Sequence, residues 1–450
     1  MLDESNTFSS CFFPFRALLT RLAPCCLLLL FASFSCKDSP SASDSTKVTL
    51  TFEDASCIET WLQLKIENAA PPYSVALSRD GNTLSSLHIL SSDTLLIDEG
   101  LSPSTTYTYR ASLTLDNNIV VHSPDAPART MDTTSHNWVF DPPVMLGDGS
   151  SSVLYDVAII NETLAYAVGE IYKQDSLGNW DPNAYNLVKW DGSSWELMRI
   201  QFYTFCGQPG TGSYPAKSIF AFGPTDIWIG MNGSQVVRWN GQSQSVPMCT
   251  PVSINKLWGE NPSSVYAVGN GGGIARYDGT SWRRVESGTG LDVYDVYGSG
   301  GVVVAVAAKQ FVNFDRRVLV LTPSRVDSVS STGIPFSLNG VWFTSRSYYV
   351  VGAGMYTTSV LSPSTTWKAV TPQVTNYYLY TIRGQGLNDI VSAGGFGEFL
   401  HFNGVSWRSY RSQLSLPSGS YRSVSLRDNL CIAVGYDSPD AAVVVGRRTN

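Results

Sequence analysis

Apolar residues in this chain come in short runs, each closed by Gly, Asn or Asp, and the stretch 254–288 displays the unit. It holds a run ending in Trp258-Gly259, then Val265-Tyr266-Ala267-Val268-Gly269, then Ile274-Ala275-Arg276-Tyr277-Asp278-Gly279, then Ser281-Trp282. Each piece is rich in β-branched and aromatic residues, which suit a pleated, half-buried surface, and each ends in a turn former. Four such strands in about 40 residues make one small antiparallel sheet. The unit recurs. Its second-strand signature returns at residues 166–169, 228–230, 266–269, 304–307, 349–352, 390–394 and 432–435, which is seven copies. Asp191-Gly192, Asp278-Gly279 and Asn403-Gly404 supply the tight turns before Trp195, Trp282 and Trp407. Two copies are degenerate: Gln244 stands where a Trp is expected, and the copy around Leu321-Thr322-Pro323 has lost both turn and Trp.

Upstream, the pattern changes to plain alternation. Residues 60–66 put Trp61, Gln63 and Lys65 on one face of a strand and Leu62, Leu64 and Ile66 on the other. Further strands are expected from Tyr73 to Ser78 and from Thr94 to Ile97, with Asp80-Gly81-Asn82 as a turn. Leu101, Pro103, Thr105 and Tyr107 then follow at fixed spacing. That spacing resembles the corner before strand F of fibronectin type III domains, where the Tyr hydroxyl bonds to upstream backbone. The resemblance implies a sandwich over residues 47–134, most simply a spacer.

From residue 135 to 450 the repeat resembles those of bacterial secreted propellers with short Kelch-like or sialidase-like repeats. It departs from the sialidase Asp-box by one residue between Asp and Gly, so sialidase chemistry is not implied. The last copy stops at a third strand, 441–448, while Asn137-Trp138-Val139-Phe140 reads as an orphan fourth strand. Pairing the two would hide exposed edges. The expected fold is therefore all-β: a fibronectin type III-like sandwich followed by a seven-bladed β-propeller, closed by sharing the last blade between both ends.

Arg16 and Arg21 precede an apolar run, 22–31, that is short for a membrane span, and Ser35-Cys36 with a polar stretch follows. This resembles a bacterial lipoprotein signal over residues 1–35, with Cys36 lipidated and 36–46 a flexible tether. It implies a secreted protein held by its lipid at the outer membrane or cell surface, with the lipid as its membrane contact. The net charge is -7, and removing 1–35 leaves it unchanged because Asp3 and Glu4 cancel Arg16 and Arg21. A mildly acidic chain without a basic run argues against nucleic acid as partner.

Candidate chemistry is sparse. His88, His122, His136 and His401 fall in no metal-type spacing, and His401 takes a polar strand slot held elsewhere by Lys189, Arg238 and Arg276. No G-x-S-x-G, H-E-x-x-H or phosphate-cradling loop occurs, no cofactor is expected, and no catalytic residue is assigned. Asp156 and Asp295 hold equivalent places about three blades apart and read as solvated residues of a channel mouth, together with Lys256. Facing carboxylates there would be the alternative, a polysaccharide-acting enzyme. Two long segments break the rhythm on one face: 170–185, with Tyr172, Trp180 and Tyr185, and 202–217, with Tyr203, Phe205 and Tyr214. These aromatics make a candidate surface for a glycan or a protein. Asp175, Asn179, Asp181 and Asn183 offer oxygens to Ca²⁺ but miss the EF-hand spacing. Cys206 and Cys249 lie in the connections entering and leaving one blade, on the same face, and are candidates for a disulfide. Cys57 and Cys431 read as buried thiols. The leading expectation is an interaction module; a scaffold without small ligand remains the third.

Overall fold

Alternating strands closed by glycine turns leave the backbone no partner but its neighbour, and the chain resolves into antiparallel sheets. The computed structural model describes residues 45–116, 118–311 and 315–449. The expected signal segment 1–35, the expected lipidation site Cys36 and the expected tether as far as residue 44 lie outside the described residues.

Strands Lys47–Ala55, Glu59–Glu67 and Asp93–Glu99 form one sheet of the N-terminal part. Tyr73–Arg79, Asn82–Ile89, Thr106–Thr114, Val120–His122 and Ala126–Arg129 form a second. Leu62, Leu64 and Ile66 face the core between them, as period two requires. The Tyr107 hydroxyl accepts a 3.0 Å hydrogen bond from Ser102 N–H, the corner contact. Trp61, on the face opposite that core, is nonetheless buried. It lines a small cavity with Glu59, Arg346 and Lys368, so the outer face of this sheet lies against the repeat region. Further contacts join the two parts. The Cys57 thiol donates to the Asp132 carbonyl (3.2 Å), which also accepts from Asn388 Nδ2 (2.7 Å), and Thr134 N–H donates to Asn403 O.

The repeat region contains, among the described residues, six four-stranded sheets over 153–198, 216–249, 256–284, 292–329, 338–369 and 379–409. The degenerate copy still forms its hairpin, Arg316–Leu321 with Val326–Val329. Where Trp is replaced by Gln244, the side-chain amide instead bonds both N–H and C=O of Gln201 at 2.7 Å. A further sheet is built from Gly419–Arg427, Leu430–Asp437 and Asp440–Arg448. Trp138–Phe140 and Val144–Leu146 both pair antiparallel with Asp440–Arg448. Two segments from the start of the region complete the last sheet, where the sequence suggested one.

Each apolar cluster lies between consecutive sheets rather than within one. Trp282 packs on Trp228 of the preceding sheet at 6.2 Å. One cluster joins Leu154 and Ala167 of the first sheet to Ile432 and Val443 of the last.

His401 departs from expectation. It is fully buried because the segment 132–138 covers its strand. His401 Nε2 lies 3.0 Å from Asp389 Oδ1, His136 Nδ1 lies 2.9 Å from His401 Nδ1, and Ser406 Oγ lies 3.2 Å from His136 Nε2. A neutral His136 ring satisfies this relay, with His401 Nε2–H donating to Asp389. Burial pushes the His136 pKa down to about 4, and the neighbouring His401 and Arg408 add to the effect. The folded value lies below the unfolded one, so between about 6.5 and about 4 the unfolded chain binds the proton first. Stability conferred by this group is complete above 6.5 and declines as pH falls through that window. Urea unfolding midpoints should drop with acidification in wild type, and the part due to this ring should vanish in His136→Gln.

Candidate functional site at the central cavity

A glycine that recurs near the end of most second strands helps explain how the cavity is lined. A Cβ at Gly169, Gly352 or Gly435 would overlap the backbone carbonyl of Val153, Ser337 or Ser420 at the start of the adjoining first strand. Glycine admits that close approach, and the first strand bulges there. The pairing register skips one residue at Tyr155, Lys217, Tyr294, Asn339, Tyr380 and Arg422. A bulged residue is re-aimed, and all six line one cavity of about 280 Å³. The bulge therefore converts a repeat in sequence into a ring of side chains.

The residues after the bulges seal the floor. Asp156 is 1% exposed. Its carboxylate accepts from Lys256 Nζ (2.6 Å), Ser218 Oγ (2.8 Å), Ser423 Oγ (2.7 Å), Ile219 N–H (2.9 Å) and Val157 N–H (3.0 Å). Burial alone would raise its pKa, but the Lys256 ammonium and these bonds outweigh that and hold it below the usual carboxylate range. Asp295 is 4% exposed and receives both Arg383 guanidinium nitrogens at 2.8 Å, with Val341 N–H at 3.0 Å. Lys256 and Arg383 also line a second cavity of about 230 Å³, walled by Val157, Ile219 and Val296, so the two ion pairs separate the spaces.

The reading of Asp156 and Asp295 as solvated residues is thus corrected: both are buried, because lysine and arginine from other sheets close over them. With Asp156 held by Lys256 and Asp295 by Arg383, and both by backbone N–H groups, neither carboxylate is left free to act on a sugar.

The cavity gathers Asp156, Lys256 and Asp295 from the expected surface and none of its aromatics. Tyr172 O–H donates to Glu170 (2.9 Å), whose other oxygen accepts from Tyr155 (2.7 Å). Tyr185 lies under the Arg199 guanidinium at 3.8 Å, and Tyr214 O–H donates to Thr204 (2.9 Å). Trp180 is exposed, as is Phe205 at 72%. Tyr203 sits in a short hairpin, Phe202–Tyr203 with Thr211–Gly212, and its N–H donates to Gln235. Asp175 accepts from Leu177 and Asn179 N–H, while Asp181 accepts from Asn183 N–H and pairs with Arg199. These oxygens serve turns and an ion pair, and no cluster of three metal-type residues occurs among the described residues.

Cys206 and Cys249 are joined by a disulfide with Cα atoms 5.9 Å apart, anchoring the connection that carries Phe205 to the outer strand Met248–Cys249. Cys57 and Cys431 are buried free thiols. Closing a 43-residue separation is worth about 2–4 kcal/mol. Peptide mapping of unreduced, denatured protein should find Cys57 and Cys431 alkylatable and Cys206 and Cys249 blocked.

Sequence reasoning missed Lys217, Arg383, Arg422 and the tyrosines Tyr155, Tyr294 and Tyr380. The signal was available: each bulged residue immediately precedes the position at which Asp156 and Asp295 were singled out.

No protein-family model matches the chain, and neither does any curated protein. Among solved structures, one described as "YCF48 bound to D1 peptide" is similar, with a TM-score of 0.50 and 16% identity. The match covers 70% of this chain and 96% of that one. Likeness at this identity bears on fold alone, and with the stacked four-stranded sheets it makes the chain a propeller-like all-β protein.

Proposed function

We propose that the chain is an interaction module of the cell envelope. Residues 1–35 are a lipoprotein signal, Cys36 carries the lipid, 36–46 is a tether, 47–134 is a fibronectin type III-like domain, and 135–450 is a seven-bladed propeller. Apolar clusters shared between neighbouring sheets, one of them between the first and the last, support a closed ring.

One observation carries the binding reading. Phe311 and Phe396 occupy equivalent turns between second and third strands, 68% and 50% exposed, with φ of 62° and 56°. A bulky residue held in the left-handed region costs about 1–3 kcal/mol and is retained where it serves a purpose. The two rings touch Tyr378 (5.3 Å) and Tyr377 (5.6 Å), both on the wall of an apolar cavity of about 510 Å³. Exposed aromatics around such a cavity suit a protein partner, and the similar structure binds a peptide by its description. A glycan in the central cavity, as distinct from the loops around Trp180 and Phe205, would need open aromatic faces. In that cavity, the Tyr155 ring is covered by Lys217 at 3.8 Å and the Tyr380 ring by Arg422 at 4.3 Å.

A photo-reactive residue at Phe396 should cross-link a protein in living cells, whereas one at Glu162, in a hairpin at the opposite end of the strands, should not. Equal labelling from both sites, or none from Phe396, refutes the reading. Cys36→Ser should release the protein from membranes; unchanged membrane association and processing would rule out the lipid anchor.

A further inference from the structure

The central cavity has an imbalance of charge that the fold does not require. Its lining carries four cations, Lys217, Lys256, Arg383 and Arg422, against two carboxylates, Asp156 and Asp295, hence 4 − 2 = +2 in a protein of net charge -7. Lys256 and Arg383 are spent on the floor. Lys217 and Arg422 have no ion pair or side-chain hydrogen bond among the described residues; each lies over a tyrosine ring instead. Burial pushes the Lys217 ammonium down to about 8, and Arg422 adds to this, against the pull of Glu170 and Asp156. Two neighbouring cations, one largely desolvated, hold a cost that an incoming anion would relieve.

The apolar cavity opens beside this one. Tyr380 of the charged cavity and Tyr378 of the apolar cavity are two residues apart, with ring centroids 5.0 Å from each other. Met355, Val370, Val374 and Phe336 line the apolar side.

We infer that the two cavities form one bipartite site for a polypeptide segment, with a carboxylate of the partner seated between Lys217 and Arg422 and a bulky apolar side chain in the neighbouring cavity. This rests on the protein-binding reading above and narrows it to an acidic segment carrying a nearby aromatic or aliphatic residue. A carboxylate on two cations is a charge-assisted contact, and substituting a neutral amide should cost on the order of tenfold in affinity.

The test uses the full chain in detergent and capped synthetic peptides with Glu followed by Phe at a series of short spacings. Matched peptides replace Glu by Gln or Phe by Ser. Acylation of Lys217 by acetic anhydride, read by mass spectrometry, reports occupancy. Glu–Phe peptides should slow it, with both substituted series weaker by about tenfold, and calorimetry should find the Glu preference lost in Arg422→Gln. Equal protection by Glu and Gln peptides overturns the carboxylate assignment. Protection by acetate alone as strong as by the peptides overturns the polypeptide source, as does protection by galacturonate without the peptides. Cross-linking from Phe396, run in parallel, separates the two levels. Cross-links retained without Glu preference overturn this site and leave the interaction reading standing, whereas their absence in wild type removes both.

Discussion

A chain that begins after Asp148 will aggregate, while one beginning at Asp132 will remain soluble and melt cooperatively. The difference is the two short strands, Trp138–Phe140 and Val144–Leu146, that flank the nine-residue strand Asp440–Arg448. Without them that strand presents a bare hydrogen-bonding edge rich in valine, the template on which β-proteins associate. The single substitution Trp138→Ala isolates the side-chain share. Trp138 is buried against Phe140 at 6.3 Å and His401 at 5.7 Å, and the Arg448 guanidinium lies 5.0 Å above its ring. Removing it should cost about 3–5 kcal/mol, as for other buried aromatic truncations. Size-exclusion elution and thermal melts of the three proteins decide the matter; identical behaviour of the two truncated chains would sink closure through this segment.

The sheets were legible because their cause is local. Asp278-Gly279 turns, β-branched runs and the Trp that follows are set by residues within one repeat, so reading them needs no tertiary knowledge. The unsatisfied third strand at 441–448 and the orphan at Trp138 were legible for a related reason: an incomplete repeat at each end is visible as such. The site was less so. A bulge adds one residue and shifts the alternation of a strand, so core residues stand three apart at Leu154/Val157, Leu338/Val341 and Leu379/Ile382, a trace that strands this short scarcely display. The partners of Asp156 and Asp295 come from the neighbouring sheet or the next but one, and Arg383 is 88 residues from Asp295. That distance let both aspartates pass for solvated. His401 misled similarly, since His136, in the segment that buries it, lies 265 residues earlier. The loops around Phe205 and Trp180 drew attention through length and aromatic content, while the strained Phe311 and Phe396 sit in short turns with no compositional signal.

Arg383→Met will be among the most damaging single substitutions outside the closing strands, and its partner's removal will largely repair it. Arg383 reaches Asp295 with two 2.8 Å bonds and also donates to the Ile382 (2.7 Å) and Val341 (3.2 Å) carbonyls. Taking away the guanidinium leaves a carboxylate that is 4% exposed with only backbone N–H groups of Val296 and Val341 to hold it. An uncompensated buried charge costs about 3–5 kcal/mol, whereas replacing both members of such a pair by apolar residues is often neutral or stabilising. Urea unfolding should therefore place Arg383→Met well below wild type and Arg383→Met with Asp295→Leu close to it. Lys256→Met offers the contrast. Asp156 keeps two serine hydroxyls and two backbone N–H donors when its lysine is gone, so this variant should lose less than Arg383→Met. If Lys256→Met proves the more damaging, or if the double substitution is as unstable as Arg383→Met alone, the floor of the cavity is not held by paired charge in the way these contacts require.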